Sequence, residues 1–343
     1  MKEEGPLCSV VIPCRNEAGS ITRCLDSICA NKNSARVEVI VADGMSDDGT
    51  VDVIRSYLAA NPGIAIRLIR NGKRITPSGM NLGIEAARGK YIAIIGAHNF
   101  ISETYLPTAL SLLEEGKADC VGGRAVCLPS DGKPVSRAIA CVMNSRFGVG
   151  LSFRTGGNMR YADTAPSPVY KREVFERIGL FDEEMIRNQD DEFNFRLAKA
   201  GGRILLVPDI KTYYHARNSY LKLWRMFYQY GYFKPLVARK HGRITVRQLM
   251  PLLFIGLVLL SATLSSMDKT SHWASLLPLF SYLFFNFFFS LHIALRKGIG
   301  LFPFLPAAFI AVHFGYGSGY LKGVLDFLVL KRRSRKKDIP LTR

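Results

Sequence analysis

The chain has 343 residues, 48% of them hydrophobic and 22% charged, with a mean hydropathy of +0.10. That composition excludes disorder and is more apolar than an ordinary soluble enzyme. Lysine and arginine outnumber the acids by 18, and six of those charges lie in one run from Lys331 to Lys337, which points to anionic lipid or phosphate as a partner. A nucleic-acid binder is excluded, because the basic residues sit beside apolar segments and are not interleaved with aromatics on a polar face.

At the start, Met1 to Pro6 shows no charged-then-apolar leader, so the first half is expected in the cytoplasm. Cys8 to Pro13 is a short apolar run suited to a buried parallel strand. Ser20 reads as the N-cap of a helix whose stripe is Ile21, Cys24, Leu25 and Ile28. A second strand over Val37 to Val41 runs into the polar turn 42–50, and a helix carrying Val51, Ile54, Tyr57 and Leu58 follows. Strands at Ile64 to Ile69 and Tyr91 to Ile95, with a helix near Ser78 to Ala87 between them, continue the alternation. The rhythm predicts a doubly wound α/β sheet, mainly parallel, whose ligand cleft lies beyond the carboxyl ends of the strands. Three loops converge there: Arg15-Asn16-Glu17, Asp43 to Asp48, and Gly96-Ala97-His98-Asn99. The first helix opens without a P-loop or a Gly-x-Gly-x-x-Gly turn, so neither phosphate-binding device operates. Seven cysteines, all before residue 142 and without a Cys-x-x-Cys pair, read as reduced, mostly buried thiols.

Two acidic loops carry the chemistry. Asp43, ending the second strand, is placed to accept hydrogen bonds from a base or a ribose, or else serves the turn; Asp48 and Thr50 suit a helix start. Asp190, Asp191 and Glu192 open a helix continued by Phe193 and Leu197. Three successive carboxylates repel one another and favour a general base.

Val11-Ile12-Pro13-Cys14-Arg15-Asn16-Glu17, Val41 to Thr50, and Asn188-Gln189-Asp190-Asp191-Glu192 together resemble glycosyltransferase family 2. Ser145 to Gly150, Gly179 to Glu183 and Tyr230 to Pro235 are similar to its succinoglycan-type, ExoA-like branch, over roughly residues 7–240. The resemblance implies a GT-A fold and an inverting transfer of sugar from a nucleotide diphosphate sugar, a UDP-sugar by expectation. It implies Asp190 as the base, with Asp191 its nearest rival and Glu192 orienting it. Pro13, Arg15, Glu17, Asp43, Asp48, Lys73 and Ala97 are then the nucleotide-sugar contacts. Where the family carries a metal-binding acid this chain has Gly96, so a Mg or Mn ion is expected to be held weakly, His98 being one candidate ligand. Lys73, Arg74, Arg154 and Arg160 are candidate cations to take over the charge of the leaving diphosphate. The alternative expectation, drawn from Gly96, is a catalytically weak nucleotide-sugar-binding scaffold.

Beyond residue 240 the composition changes. Leu249 to Ser266 and Trp273 to Leu295, the latter with six phenylalanines, are long enough to cross a membrane. Leu301 to Leu330, punctuated by prolines and glycines, is expected as a bent re-entrant or interfacial pair. The division expected is a catalytic domain over 1–240, membrane helices over 241–330 and a basic tail over 331–343. A lipid-linked, polyprenyl diphosphate acceptor at the inner membrane accounts for that arrangement, with both ends cytoplasmic by the positive-inside rule.

Overall fold

The computed structural model describes residues 5–31, 36–63, 65–150, 153–242 and 276–332, with Phe254, Gly256, Leu257, Ser261 and Thr263. The expected span Leu249 to Ser266 therefore lies almost wholly outside the described residues, as does the tail beyond Arg332.

In the first unit, residues 1–126 and 151–215, the expected alternation is present. Strands β1 (Cys8–Cys14), β2 (Val37–Asp43), β3 (Ile66–Arg70) and β4 (Tyr91–Ile94) alternate with helices α1 (Ile21–Cys29), α2 (Thr50–Ala60) and α3 (Thr76–Ala86). β1 to β4 are parallel, with β1 between β2 and β4. The largely apolar runs of β1, β2 and β4 are buried on both faces, as a helix-covered parallel sheet requires, whereas β3, the edge strand, exposes Arg67 and Arg70. The rest of the sheet departs from the parallel rule. After β5 (Asn99–Ile101), α4 (Tyr105–Glu114) and β6 (Cys120–Leu128) come α5 (Pro134–Met143), α6 (Arg146–Val149), β7 (Arg160–Tyr161), β8 (Val169–Lys171), α7 (Arg172–Ile178), α8 (Gln189–Lys199) and β9 (Ile204–His215). β8 runs antiparallel to β4 and β6, and β9 runs antiparallel to β5 and β7. The order is β3-β2-β1-β4-β8-β6-β9-β5. The sheet is thus mixed, a parallel half joined to an antiparallel half.

The seven cysteines are free, five of them buried. Burial pushes the Cys8 thiol up to about 12, so it stays protonated and inert.

In the second unit, residues 127–150 and 216–343, the compact division falls earlier than residue 240, with α9 (Tyr220–His241) belonging here, together with α5 and α6. Among the described residues, two further helices are long and apolar enough to cross a membrane: α10 (Leu277–Lys297) and a continuous 31-residue helix, Ile299–Val329. The latter opens with a 3-10 turn, continues as α11 (Leu305–Gly323) and ends in a π-helical turn, Val324–Val329. This corrects the bent re-entrant pair expected over Leu301 to Leu330. Its glycines are a packing seam. A Cβ on Gly319 would lie 2.0 Å from the Tyr228 carbonyl oxygen, one on Gly323 2.2 Å from that of Tyr232, and one on Gly231 of α9 2.0 Å from that of Tyr316. With contacts rising in step along both chains, from Tyr220 on Phe304 to Arg239 on Phe327, α9 and α11 run parallel at the close approach that glycine permits. α10 is ordered inside-out: Tyr282, Asn286, Ser290 and Ala294 are buried, while Phe280, Phe284, Phe285, Phe287 and Phe288 are exposed, an arrangement that suits lipid better than water.

Candidate functional site

The first two expected loops meet. Asn16, held at φ +56°, donates its Nδ2 to Asp47 Oδ1 at 2.8 Å and accepts the Asp47 N–H at 3.0 Å. Its own N–H donates to Ser46 Oγ at 2.9 Å, and Ser46 Oγ donates to Asp43 Oδ1 at 2.6 Å. Asp43 is buried and closes the turn through the Ser46 N–H as well. Asp48 accepts from the N–H groups of Thr50 and Ala18 and from the Thr50 hydroxyl. Partial desolvation raises its pKa, but those hydrogen bonds outweigh it and hold the carboxyl below the ordinary range. It thus pins the start of α2 to the loop after β1. Ser20 stands at the N-cap position of α1, yet its hydroxyl turns to Glu17 Oε2 and makes no cap bond. The backbone runs through left-handed φ at Asn16, Met45, Arg74 and Asn188. Such non-glycine positions cluster where a structure is tied to function.

Glu17 is buried and its Oε1 faces His98 Nδ1 at 3.2 Å. This joins the third loop to the first, with Ala97 buried between. Pro13 lies at the end of β1, and Arg15, exposed, donates to the Arg74 carbonyl at 3.4 Å. Lys73 is paired with Glu183 at 2.6 Å, on a groove of about 460 Å³ also lined by Arg70, Asn71 and Ser78.

The second acidic site resolves into unlike parts. Asn188, in left-handed conformation, caps α8, after which Asp190 is exposed, Asp191 half-buried and Glu192 buried. Glu192 holds Arg196 through two bonds of 2.8 and 2.9 Å. Arg196 in turn donates to the carbonyls of Ile178 and Leu180. Asn81 clamps Phe181 from the other side, its amide exchanging two 2.9 Å bonds with that backbone. The loop that delivers Asp190 is therefore fixed by α3 and by α8 itself. Deep beneath, Tyr170 donates to Asn194 at 2.9 Å; burial above all, with the Asp190 carboxylate adding to it, keeps the phenol neutral. The sequence reading placed Asn16 in the first loop without a role of its own, and missed Asn81 and Arg196. Only Arg196 carried a signal, its i,i+4 spacing from Glu192.

Residues 9–179 match the sequence model of Glycosyl transferase family 2. This segment is a family 2 glycosyltransferase domain. The chain is 26% identical to the succinoglycan biosynthesis protein ExoA of Rhizobium meliloti, over 93% of this chain and 95% of that protein. It is 27% identical to a dolichyl N-acetyl-alpha-D-glucosaminyl phosphate 3-beta-D-2,3-diacetamido-2,3-dideoxy-beta-D-glucuronosyltransferase of Methanococcus voltae, over 92% and 97%. Among solved structures, the Pyrobaculum calidifontis mannosyltransferase PcManGT, in complex with GDP-Man and Mn2+, superposes with a TM-score of 0.59 at 19% identity, over 92% of this chain and 88% of that one. The glycosyltransferase domain therefore has the expected GT-A fold.

That neighbour's ion raises the question of a metal here. Position 96 is glycine, and His98 of the same loop, 44% exposed in its side chain, is engaged by Glu17. Among the described residues no three His, Cys, Asp or Glu side chains gather as a metal-holding group.

Proposed function

We propose that this glycosyltransferase moves a sugar, with inversion, from a nucleotide diphosphate sugar, a UDP-sugar in our reading, to a lipid-linked oligosaccharide in exopolysaccharide or cell-surface glycan synthesis. The observation that carries the proposal is the splitting of the acidic cluster: Glu192 is consumed by Arg196, whereas Asp190 stands exposed on the first turn of α8. In this reading an acceptor hydroxyl attacks the anomeric carbon from the face opposite the diphosphate. The hydroxyl proton passes to Asp190, the C–O bond to the diphosphate breaks, and the nucleoside diphosphate departs with the bonding pair. The polar loops after β1 and β2, with Asp43 at their centre, take the nucleoside. The relatives named for succinoglycan and for a dolichyl-linked sugar support a lipid-linked acceptor. The apolar helices, with α10's outward phenylalanines, support attachment to the inner membrane, with the catalytic unit on the cytoplasmic side where nucleotide sugars are made.

The test is donor-dependent labelling of membrane lipid across a panel of nucleotide sugars. Asp190→Asn keeps the shape and removes the proton acceptor, so turnover is expected to fall by about 10²-fold or more while nucleotide binding persists. Loss in Asp191→Asn with Asp190→Asn unaffected moves the base by one residue. Gly96 favours a second reading, a nucleotide-sugar-binding scaffold with little turnover; labelling in no donor condition, with nucleotide binding intact, selects it.

A further inference from the structure

We propose that Arg154, with Arg124 and Arg160, forms a binding site for a diphosphate ester beside the place where Gly96 leaves the metal loop without a carboxylate. This rests on the reading of the unit as a transferase that uses diphosphate substrates. Asn99 and Tyr214 are register partners across β5 and β9, so their side chains leave the sheet on the same face. A Cβ at Gly96 would lie 3.3 Å from Asn99 Nδ2. On the other side of that pair, the Tyr214 hydroxyl accepts from Arg154 Nε at 2.9 Å. Gly96, Asn99, Tyr214 and the Arg154 guanidinium are thus connected neighbour to neighbour through the β5–β9 pair.

The guanidinium is positioned and not merely near. Its carbon lies 4.5 Å from the Phe153 ring centre and 5.9 Å from that of Tyr214, and aromatic flanks hold a planar cation in one orientation. Arg124 Nε donates to the Arg154 carbonyl at 3.1 Å. The turn that follows requires glycine: φ is +77° at Gly156 and +119° at Gly157, and a Cβ there would come within 3.2 Å of Arg124 Nη1 and of Arg160 Nη1 respectively. Arg160 Nη1 reaches back to the carbonyls of Gly156 and Asn158. Three half-buried guanidinium groups collected around one tight turn concentrate positive potential at short range, and a diphosphate complements it. Lys73 and Arg74 belong to a different loop, after β3, so the four cations expected from sequence divide into two sites.

The diphosphate belongs either to the nucleotide donor or to a polyprenyl diphosphate, and two measurements on the full chain in detergent, with chelator present, separate them. One is calorimetric affinity for UDP and GDP against UMP and GMP. The other is flotation with phosphatidylcholine vesicles carrying polyprenyl diphosphate against vesicles carrying the monophosphate. Arg154→Met is expected to lose about tenfold or more in diphosphate affinity, the effect of one charge-assisted pair, with a smaller change for the monophosphate. Arg154→Lys should recover most of it, and Tyr214→Phe, which frees the guanidinium but leaves its charge, should lose about threefold. Loss in the nucleotide measurement assigns the donor, and loss in the flotation assigns the lipid. Should Arg154→Met not fold, Tyr214→Phe carries the comparison. Unchanged affinity in both measurements, equal loss for mono- and diphosphate, or a parent chain that binds neither diphosphate overturns the site. Asp190→Asn binds diphosphate as the parent does in every case, so failure here leaves the assignment of the base standing.

Discussion

Three adjacent acids, identical in charge and all on one helical turn, end with three different environments. Glu192 is 2% exposed and neutralised by Arg196, so the repulsion expected among the carboxylates is relieved at one of them. Removing one partner of a buried pair leaves the other charge without compensation. Glu192→Ala is expected to destabilise the protein by about 3 kcal/mol, read as a lower thermal unfolding midpoint, and to lower turnover without abolishing nucleotide binding. Asp43 differs again, buried at the end of β2 with the Ser46 hydroxyl on one oxygen. Asp43→Ala is expected to weaken UDP or GDP binding by about tenfold, the worth of one hydrogen bond to a charged acceptor; calorimetry showing parental affinity removes Asp43 from the nucleotide site.

Among elements, the parallel half of the sheet is fastened at the end away from the cleft by one buried acid. Glu38 of β2 accepts from Ser9 Oγ at 2.6 Å and from the Arg88 N–H at 2.7 Å, with Arg67 at 3.1 Å. Burial pushes its pKa up, but these donors prevail and hold it below the usual carboxylate value. A depressed folded-state pKa means stability present above the unfolded value near 4.3, lost as the pH falls through the folded one. Unfolding midpoints should therefore hold from pH 7 to about 5 and decline further into acid, whereas Glu38→Gln should cost about 2 kcal/mol at pH 7 and flatten part of that decline. Along its middle, the seam between α9 and α11 depends on the missing side chains of its glycines. Gly319→Val would drive a branched side chain into the Tyr228 backbone, and a loss of about 3 kcal/mol is expected from such overpacking, measured by thermal unfolding beside Gly300→Val, where nothing lies within 4 Å.

For the whole molecule, the proposed membrane attachment rests on two long apolar helices, of which α10 turns phenylalanines outward and buries Asn286 and Ser290. The protein is expected to stay with membranes in alkaline carbonate. With the basic run after Leu330 held on the cytoplasmic side, Ser334→Cys should resist an impermeant thiol reagent in intact cells and react after permeabilisation. Labelling from outside would place the tail across the membrane and overturn the proposed sidedness.

By itself the sequence determined what depends on local pattern. Apolar runs with turn residues at their ends specify β1, β2 and β4 and helices α1 to α3, because a strand buried on both faces must be largely apolar and a packed helix must repeat near 3.6 residues; the edge strand β3, with its two exposed arginines, follows from the alternation. The order of the acidic motifs likewise located the loops at the strand ends. Tertiary structure decided which carboxylates remain accessible: Glu192 is buried against Arg196 one turn along the same helix, whose guanidinium is held in turn by the Ile178 and Leu180 carbonyls, whereas Asp190 is exposed. The antiparallel half was also invisible, because β7 and β8 are two and three residues long and owe their pairing to neighbours supplied from distant sequence. The glycines of α11 make the same point. Read along the chain they suggest a bend, yet opposite the aromatic side of α9 their lack of a side chain lets two helices touch backbone to backbone. Arg154, a surface charge by sequence, is tied to Tyr214, and Tyr214 to Asn99 by the register of β5 on β9, a long-range pairing that no local spacing records.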